Sequence, residues 1–252
     1  MKIFNFHRKS KEPETMFDQP VERRLTQKNT EYFKKAICPY CGRTLKKSPL
    51  RKKKCPYCGN DIFVRTNLLT KEKMLLTESE KEELEKERGK IALLKSILSD
   101  RELEEEFKKI RKKKEFDDLS AMEFLLNNKV KEHSRKKIWG YYRSSIFSLA
   151  DLLSYEGKHK EALELLLDVC YIDVNGPTNS TNPDIFPEFS PDLGILAPGV
   201  ISLLKKETSN ANITKRELKT LFLKRAESMK KLRMPVPPEE AWRKIEFALS
   251  SN

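Results

Sequence analysis

The chain has 252 residues, of which 35% are charged, and carries a formal net charge of +13. That length holds one small module plus one proper domain, and no apolar run approaches the roughly 20 residues a membrane span needs. Residues Met1-Lys2-Ile3-Phe4-Asn5-Phe6-His7-Arg8 lack the apolar stretch of a secretion signal. Of the five cysteines only Cys170 stands outside one cluster, in an apolar helical run that predicts a buried free thiol. These features predict a reducing, cytoplasmic setting.

The positive charge is concentrated. Residues 1–76 hold 19 Lys+Arg against 7 Asp+Glu, whereas residues 77–252 hold 32 against 31. Residues 1–35 are expected to form a basic, partly disordered tail, with at most a short helix over 27–36. Next comes Cys38-Pro39-Tyr40-Cys41-Gly42, and with thirteen residues between Cys41 and Cys55 the same pentapeptide returns as Cys55-Pro56-Tyr57-Cys58-Gly59. Each pair predicts a tight knuckle. Its Pro stiffens the approach, and its Gly permits the positive φ that turns backbone N–H groups toward sulfur. Two facing knuckles offer four thiolates in a tetrahedron, which suits structural Zn²⁺ bound by Cys38, Cys41, Cys55 and Cys58. Rubredoxin-like iron is the main rival, with disulfides or a redox pair well behind. The spacing leaves room for a small β-hairpin between the pairs.

Between and beyond the knuckles lie Lys46, Lys47, Arg51, Lys52, Lys53, Lys54 and Arg65. A patch of this kind raises the local potential and favours phosphate backbones. Tyr40, Tyr57 or Phe63 would stack on bases if exposed, although in so small a module aromatics more often pack beneath the knuckles. Asp61–Thr66 predicts a strand, rich in β-branched and aromatic residues, and Met74–Leu76 a second one. The module is therefore placed at 36–76.

A charged helical connector is expected over 77–116. Thr77 with Glu80 forms a capping box, and Leu84, Ile91, Leu94 and Leu98 make a narrow stripe. Ser99-Asp100 signals a break and a new N-cap. Residues 78–87 carry six Glu and two Lys directly after the basic module, so this stretch is expected to fold back and compete with an anionic ligand. An α-helical domain is then expected over 117–252. Its apolar stripes predict helices over 136–155, from 162 to about 173, from about 198, after the Thr214–Glu217 cap, and around Trp242, Ile245 and Leu249. The stretch Asn175–Gly199, rich in Pro, Gly and Asn, predicts a long loop that is functional or pinned over a core.

Leu149-Ala150 through Gly157, Ala162-Leu163, Leu166 and Val169 resemble one tetratricopeptide repeat, legible only once, so a single hairpin is expected rather than a solenoid. Taken whole, the chain resembles a family of uncharacterised bacterial and phage proteins. The matching features are the doubled CPYCG ribbon with Phe63-Val64-Arg65-Thr66, the block Ala162–Pro177 ending Val174-Asn175-Gly176-Pro177, and Leu196-Ala197-Pro198-Gly199-Val200-Ile201. The resemblance implies the architecture and a zinc site. It implies no activity.

No enzyme constellation stands out. There is no Gly-rich phosphate loop and no GxSxG motif. His7, His133 and His159 have no metal-ligand spacing between them, and His159 is expected to be a solvent-exposed helix-start residue. Asp117-Asp118 predicts a helix-capping loop. Two function classes follow. In the first, a non-enzymatic protein contacts nucleic acid through its basic zinc ribbon and other partners through its α-helical domain. In the alternative, the chain is a protein–protein adaptor using the groove of the Leu149–Val169 helix pair and the 175–199 loop. No small-molecule substrate is indicated.

Overall fold

The structure, a computed structural model, describes residues 17–98, 101–180 and 187–251. These residues form nine α-helices and one small three-stranded sheet, divided into two compact units, 1–96 and 97–252. No helix among them is long and apolar enough to cross a membrane.

In the first unit the sheet has the order β1 (Lys53–Lys54), β2 (Asp61–Thr66), β3 (Lys73–Leu76), antiparallel throughout. No hairpin fills the gap between the two cysteine pairs. Instead β1 and β2 flank the second knuckle, pairing Lys54 with Asp61, and the first knuckle is closed by a lone bridge from Ile37 to Thr44. The short gap carries Pro49 and seven cations, which offer few apolar side chains to anchor a two-stranded ribbon.

The expected tail over 1–35 is corrected where it is described. Helix α1 (Pro20–Lys34) starts with Pro at its first position, where its missing N–H costs nothing. Leu25 of α1 packs with Phe63, Met74, Leu76 and Leu84 in one small core. A second cluster joins Cys38, Leu45, Cys55, Ile62 and Leu75 under the knuckles. The cysteine module is therefore not confined to 36–76, because its sheet is packed against a helix that precedes it.

The connector also divides. Helix α2 (Glu78–Ile97) opens with the expected box, Thr77 N–H donating to Glu80 at 2.9 Å and Glu80 N–H to Thr77 Oγ1 at 3.3 Å. All but the last residue of α2 belongs to the first unit. Its Leu84 enters the core there, and its Glu87 caps α1 by accepting the N–H groups of Val21 (2.9 Å) and Glu22 (2.8 Å). Helix α3 (Arg101–Lys114) belongs to the second unit, bound to α4 (Asp118–Lys136) by Glu106–Lys129 at 2.7 Å and Arg111–Asp118 at 2.7 Å. The expected break at Ser99-Asp100 lies outside the described residues.

The second unit is helical. Asp117 caps α4 by accepting Ser120 N–H at 2.8 Å, as the Asp117-Asp118 pair suggested. Helices α5 (Trp139–Tyr155) and α6 (His159–Asn175) form the expected antiparallel pair, turned at Gly157 with φ +79°. Ala150 and Ala162 are fully buried, in line with close helix approach. α6 is buried along most of its length, against α5, α7 (Pro198–Asn210), α8 (Lys215–Ser228) and α9 (Pro238–Ser250). Leu149 and Val169 are themselves buried, so the groove expected to take a protein partner is already occupied by the unit's own core.

Segment 175–199 is held down where it is described. Phe189 stacks on Trp139 at 5.6 Å, and Glu188 takes Trp139 Nε1–H at 2.7 Å. Gly176, at φ +62°, passes so close to the Ser190 carbonyl that a side chain at that position would collide with it. Cys170 is a fully buried free thiol, its ionisation pushed up by burial. His159 begins α6 but is not free in solvent: its Nδ1 lies 2.6 Å from Oε2 of the fully buried Glu207, which also accepts Ser154 Oγ–H at 2.8 Å. A buried carboxylate needs such partners, and the helix-start position alone did not reveal one.

Candidate metal centre and basic face

The two pentapeptides fold alike. Gly42 (φ +69°) and Gly59 (φ +75°) take the left-handed backbone that a side chain would strain. Their N–H groups donate to Cys38 O and Cys55 O, both at 3.0 Å. Cys38 N–H donates to Arg43 O at 3.0 Å and Cys55 N–H to Asn60 O at 2.8 Å, closing each turn at its base. Backbone N–H groups of Tyr40 and Cys41 face the Cys38 sulfur, and those of Tyr57 and Cys58 face the Cys55 sulfur.

This geometry brings all four expected ligands together. The Sγ atoms of Cys38, Cys41, Cys55 and Cys58 lie within 4.8 Å of one another. Cys38–Cys58 and Cys41–Cys55 are each 3.9 Å apart, too far for a disulfide. Sulfurs at about 2.3 Å from a central zinc stand about 3.8 Å apart along a tetrahedron's edges. The cluster can therefore hold a metal ion with little rearrangement. Burial pushes the Cys38 thiol up to about 12. At Cys55 burial works in the same direction, but the N–H groups of Cys58 and Tyr57 hold the thiol down at about 7. Four thiolates so close repel one another, and a divalent cation at their centre removes that repulsion. Four sulfur ligands fill a tetrahedral ion and leave no position for an activated water.

The predicted cations do not behave as one set. Lys46, Lys47, Arg51, Lys53 and Lys54 are exposed and have no ion-pair partner among the described residues. Lys52 is committed to Asp61 at 2.8 Å and lies over the Phe63 ring at 5.0 Å. Arg65 is bound by Glu85 of α2, its Nε donating at 3.1 Å, and also donates to Val64 O. Glu83 pairs in the same way with Arg24 of α1. The acidic stretch thus folds back on its own unit, as the charge pattern suggested, but it meets Arg65 and Arg24 rather than the lysine run. Glu80 and Glu87 are spent on helix caps.

The aromatics divide as well. Phe63 is buried in the core, beyond reach of a base. Tyr40 and Tyr57, expected to pack beneath the knuckles, instead stand outside them at 37% and 49% exposure. Each occupies the turn position between its two cysteines, where the chain bulges toward solvent. Tyr40 Oη accepts Glu78 N–H at 2.7 Å, and the Arg43 guanidinium lies over the Tyr57 ring at 5.5 Å. Arg43 was missed by sequence reasoning, although its place directly after the first knuckle could have flagged it.

Comparison with known proteins adds no identity. No known protein family, curated protein or solved structure matches this chain, so the resemblance to the bacterial and phage family rests on its quoted residues alone.

Proposed function

We propose that the four cysteines hold one structural zinc ion in a ribbon-like module, and that the face this module presents binds nucleic acid without catalysing a reaction. The observation that carries the reading is the set of five exposed cations without an ion pair among the described residues, Lys46, Lys47, Arg51, Lys53 and Lys54, on the cysteine module itself. Ion-paired or buried cations would add little to phosphate binding; free ones release counterions when they meet a backbone. Tyr57, with Arg43 over its ring, adds a surface on which a base can stack. Zinc is preferred to iron because a closed four-sulfur site of this kind is its common structural use.

The test is fluorescence anisotropy with labelled single- and double-stranded DNA and RNA, titrated over a range of salt. Binding should weaken steeply with salt. Lys53→Gln/Lys54→Gln should reduce both the affinity and the salt slope, by about one ion per cation removed. A salt-independent interaction, or affinities unchanged by that pair of substitutions, would contradict the reading.

The adaptor reading loses the helix-pair groove but keeps one observation. Leu193 and Ile195, in the described part of the 175–199 segment, are strongly exposed, Ile195 at 73%. Exposed apolar side chains in a loop pinned at its base suit a protein contact.

A further inference from the structure

We propose that the second unit carries a separate binding site for a small phosphorylated ligand, in the cavity between the end of α4 and the Lys230–Leu232 turn. The cavity measures about 710 Å³, with Ser134, Lys137, Trp139, Glu188, Lys231 and Arg233 in its wall. That volume falls within the range of small-molecule sites, roughly 300–1,000 Å³.

Three cations converge on it in a unit that is otherwise nearly neutral, with 27 Lys+Arg against 25 Asp+Glu over 97–252. Lys137 is shared with Glu188 at 2.8 Å. Glu188 is held below the usual carboxylate range by that Lys137 hydrogen bond and, more weakly, by Trp139 Nε1–H. Lys137 thus cancels the one acidic group in the wall. Lys231 and Arg233 remain exposed and without an ion pair among the described residues.

An α-helix dipole does not account for Lys231 and Arg233. Arg135 and Lys136 sit in the last turn of α4, where cations complement the helix dipole. Lys231 and Arg233 lie past the end of α8, on and after a three-residue 3₁₀ turn that has no comparable field. Lys137 (φ +55°) closes α4 and Arg233 (φ +50°) closes the 3₁₀ turn, each in the left-handed backbone usual at a helix end, and these two turns bring both residues to the wall of the one cavity.

Phosphoryl chemistry fits this donor set. An Arg fork and a Lys point charge can grip different oxygens of one compact multiply charged group, and the Ser134 hydroxyl adds a neutral donor. The cavity is much larger than a phosphate, which leaves space for the rest of a small molecule.

Tryptophan fluorescence of the full-length protein isolates this site from the basic face of the first unit. The only two tryptophans, Trp139 and Trp242, belong to the second unit, and Trp139 lines the cavity. The probes are inorganic pyrophosphate and, at matched ionic strength, citrate. Pyrophosphate should produce a saturable change, tighter than that of citrate. Lys231→Gln/Arg233→Gln should weaken it about tenfold or more without shifting the melting temperature, because both side chains are exposed. Lys53→Gln/Lys54→Gln should leave it intact. The proposal is overturned by the absence of a saturable response, by a response indifferent to the Lys231/Arg233 pair, or by one abolished by the Lys53/Lys54 pair. Citrate binding as tightly as pyrophosphate would overturn the phosphoryl assignment.

Discussion

Glu22 shows how much of the first unit depends on single polar contacts. It is only 1% exposed, and it accepts Arg88 Nε–H at 3.0 Å, Arg88 Nη2–H at 2.7 Å and Leu68 N–H at 2.7 Å. The contact ties α1 to α2 and to the turn after β2. Removing the cation should cost more than the pair itself contributes, because the buried Glu22 side chain would lose its partner. We expect Arg88→Met to destabilise the first unit by about 3–5 kcal/mol, and Glu22→Gln in the same background to recover part of that loss. Urea denaturation of the two single variants and the double variant measures this, and strictly additive costs would contradict the coupling. None of it was legible in the sequence. Glu87 and Arg88 belong to a charged run that looks like solvated surface, and their partners on α1 lie 65 and 66 residues upstream. The cysteine ligands are the opposite case: a repeated pentapeptide fixes its own turn locally, so spacing alone located all four sulfurs.

Elements with strong local signals were readable, and those held by distant contacts were not. β2 spans Asp61–Thr66 as its β-branched and aromatic residues indicated, and both capping boxes, Thr77/Glu80 and Thr214/Glu217, are formed. The stripes of α5 and α6 were equally plain. α1 was read only in its second half, as a short helix over 27–36, because its buried side is mixed, with Glu22, Asn29 and Thr30 beside Leu25, so no apolar period marks it. α4 was read only at its cap, because its buried residues, from Asp118 to Leu126, fill only its first half. The helix expected after the Thr214–Glu217 cap stops at Ser228, and a 3₁₀ turn over Lys230–Leu232 follows. The cover that α1 provides has a consequence for the metal module. With zinc present, a fragment of residues 17–98 should melt cooperatively. Residues 36–76 alone should not, since Phe63, Met74 and Leu76 would then lose Leu25 and Leu84. Cooperative melting of the shorter fragment by circular dichroism would show that the knuckles and sheet are sufficient.

On the scale of the whole molecule, each unit owns its core. The first gathers small clusters around a sheet and four thiols, and the second buries a continuous set from Trp139 to Ile245. Small cores of the first kind rarely suffice without a metal or another staple, whereas the helical core of the second has no such need. The sequence separated a basic metal module from a balanced helical domain by charge and composition. It read 77–116 as a separate connector, because charge cannot tell which core α2 and α3 each join. The claim on which the rest depends is the metal, and elemental analysis of freshly reduced protein tests it most directly. The account predicts one zinc per chain, lost in Cys55→Ser together with protease resistance across the first unit, while the tryptophan signal of the second unit keeps its melt. Iron in place of zinc, or no metal at all in protein that is fully folded, would contradict it.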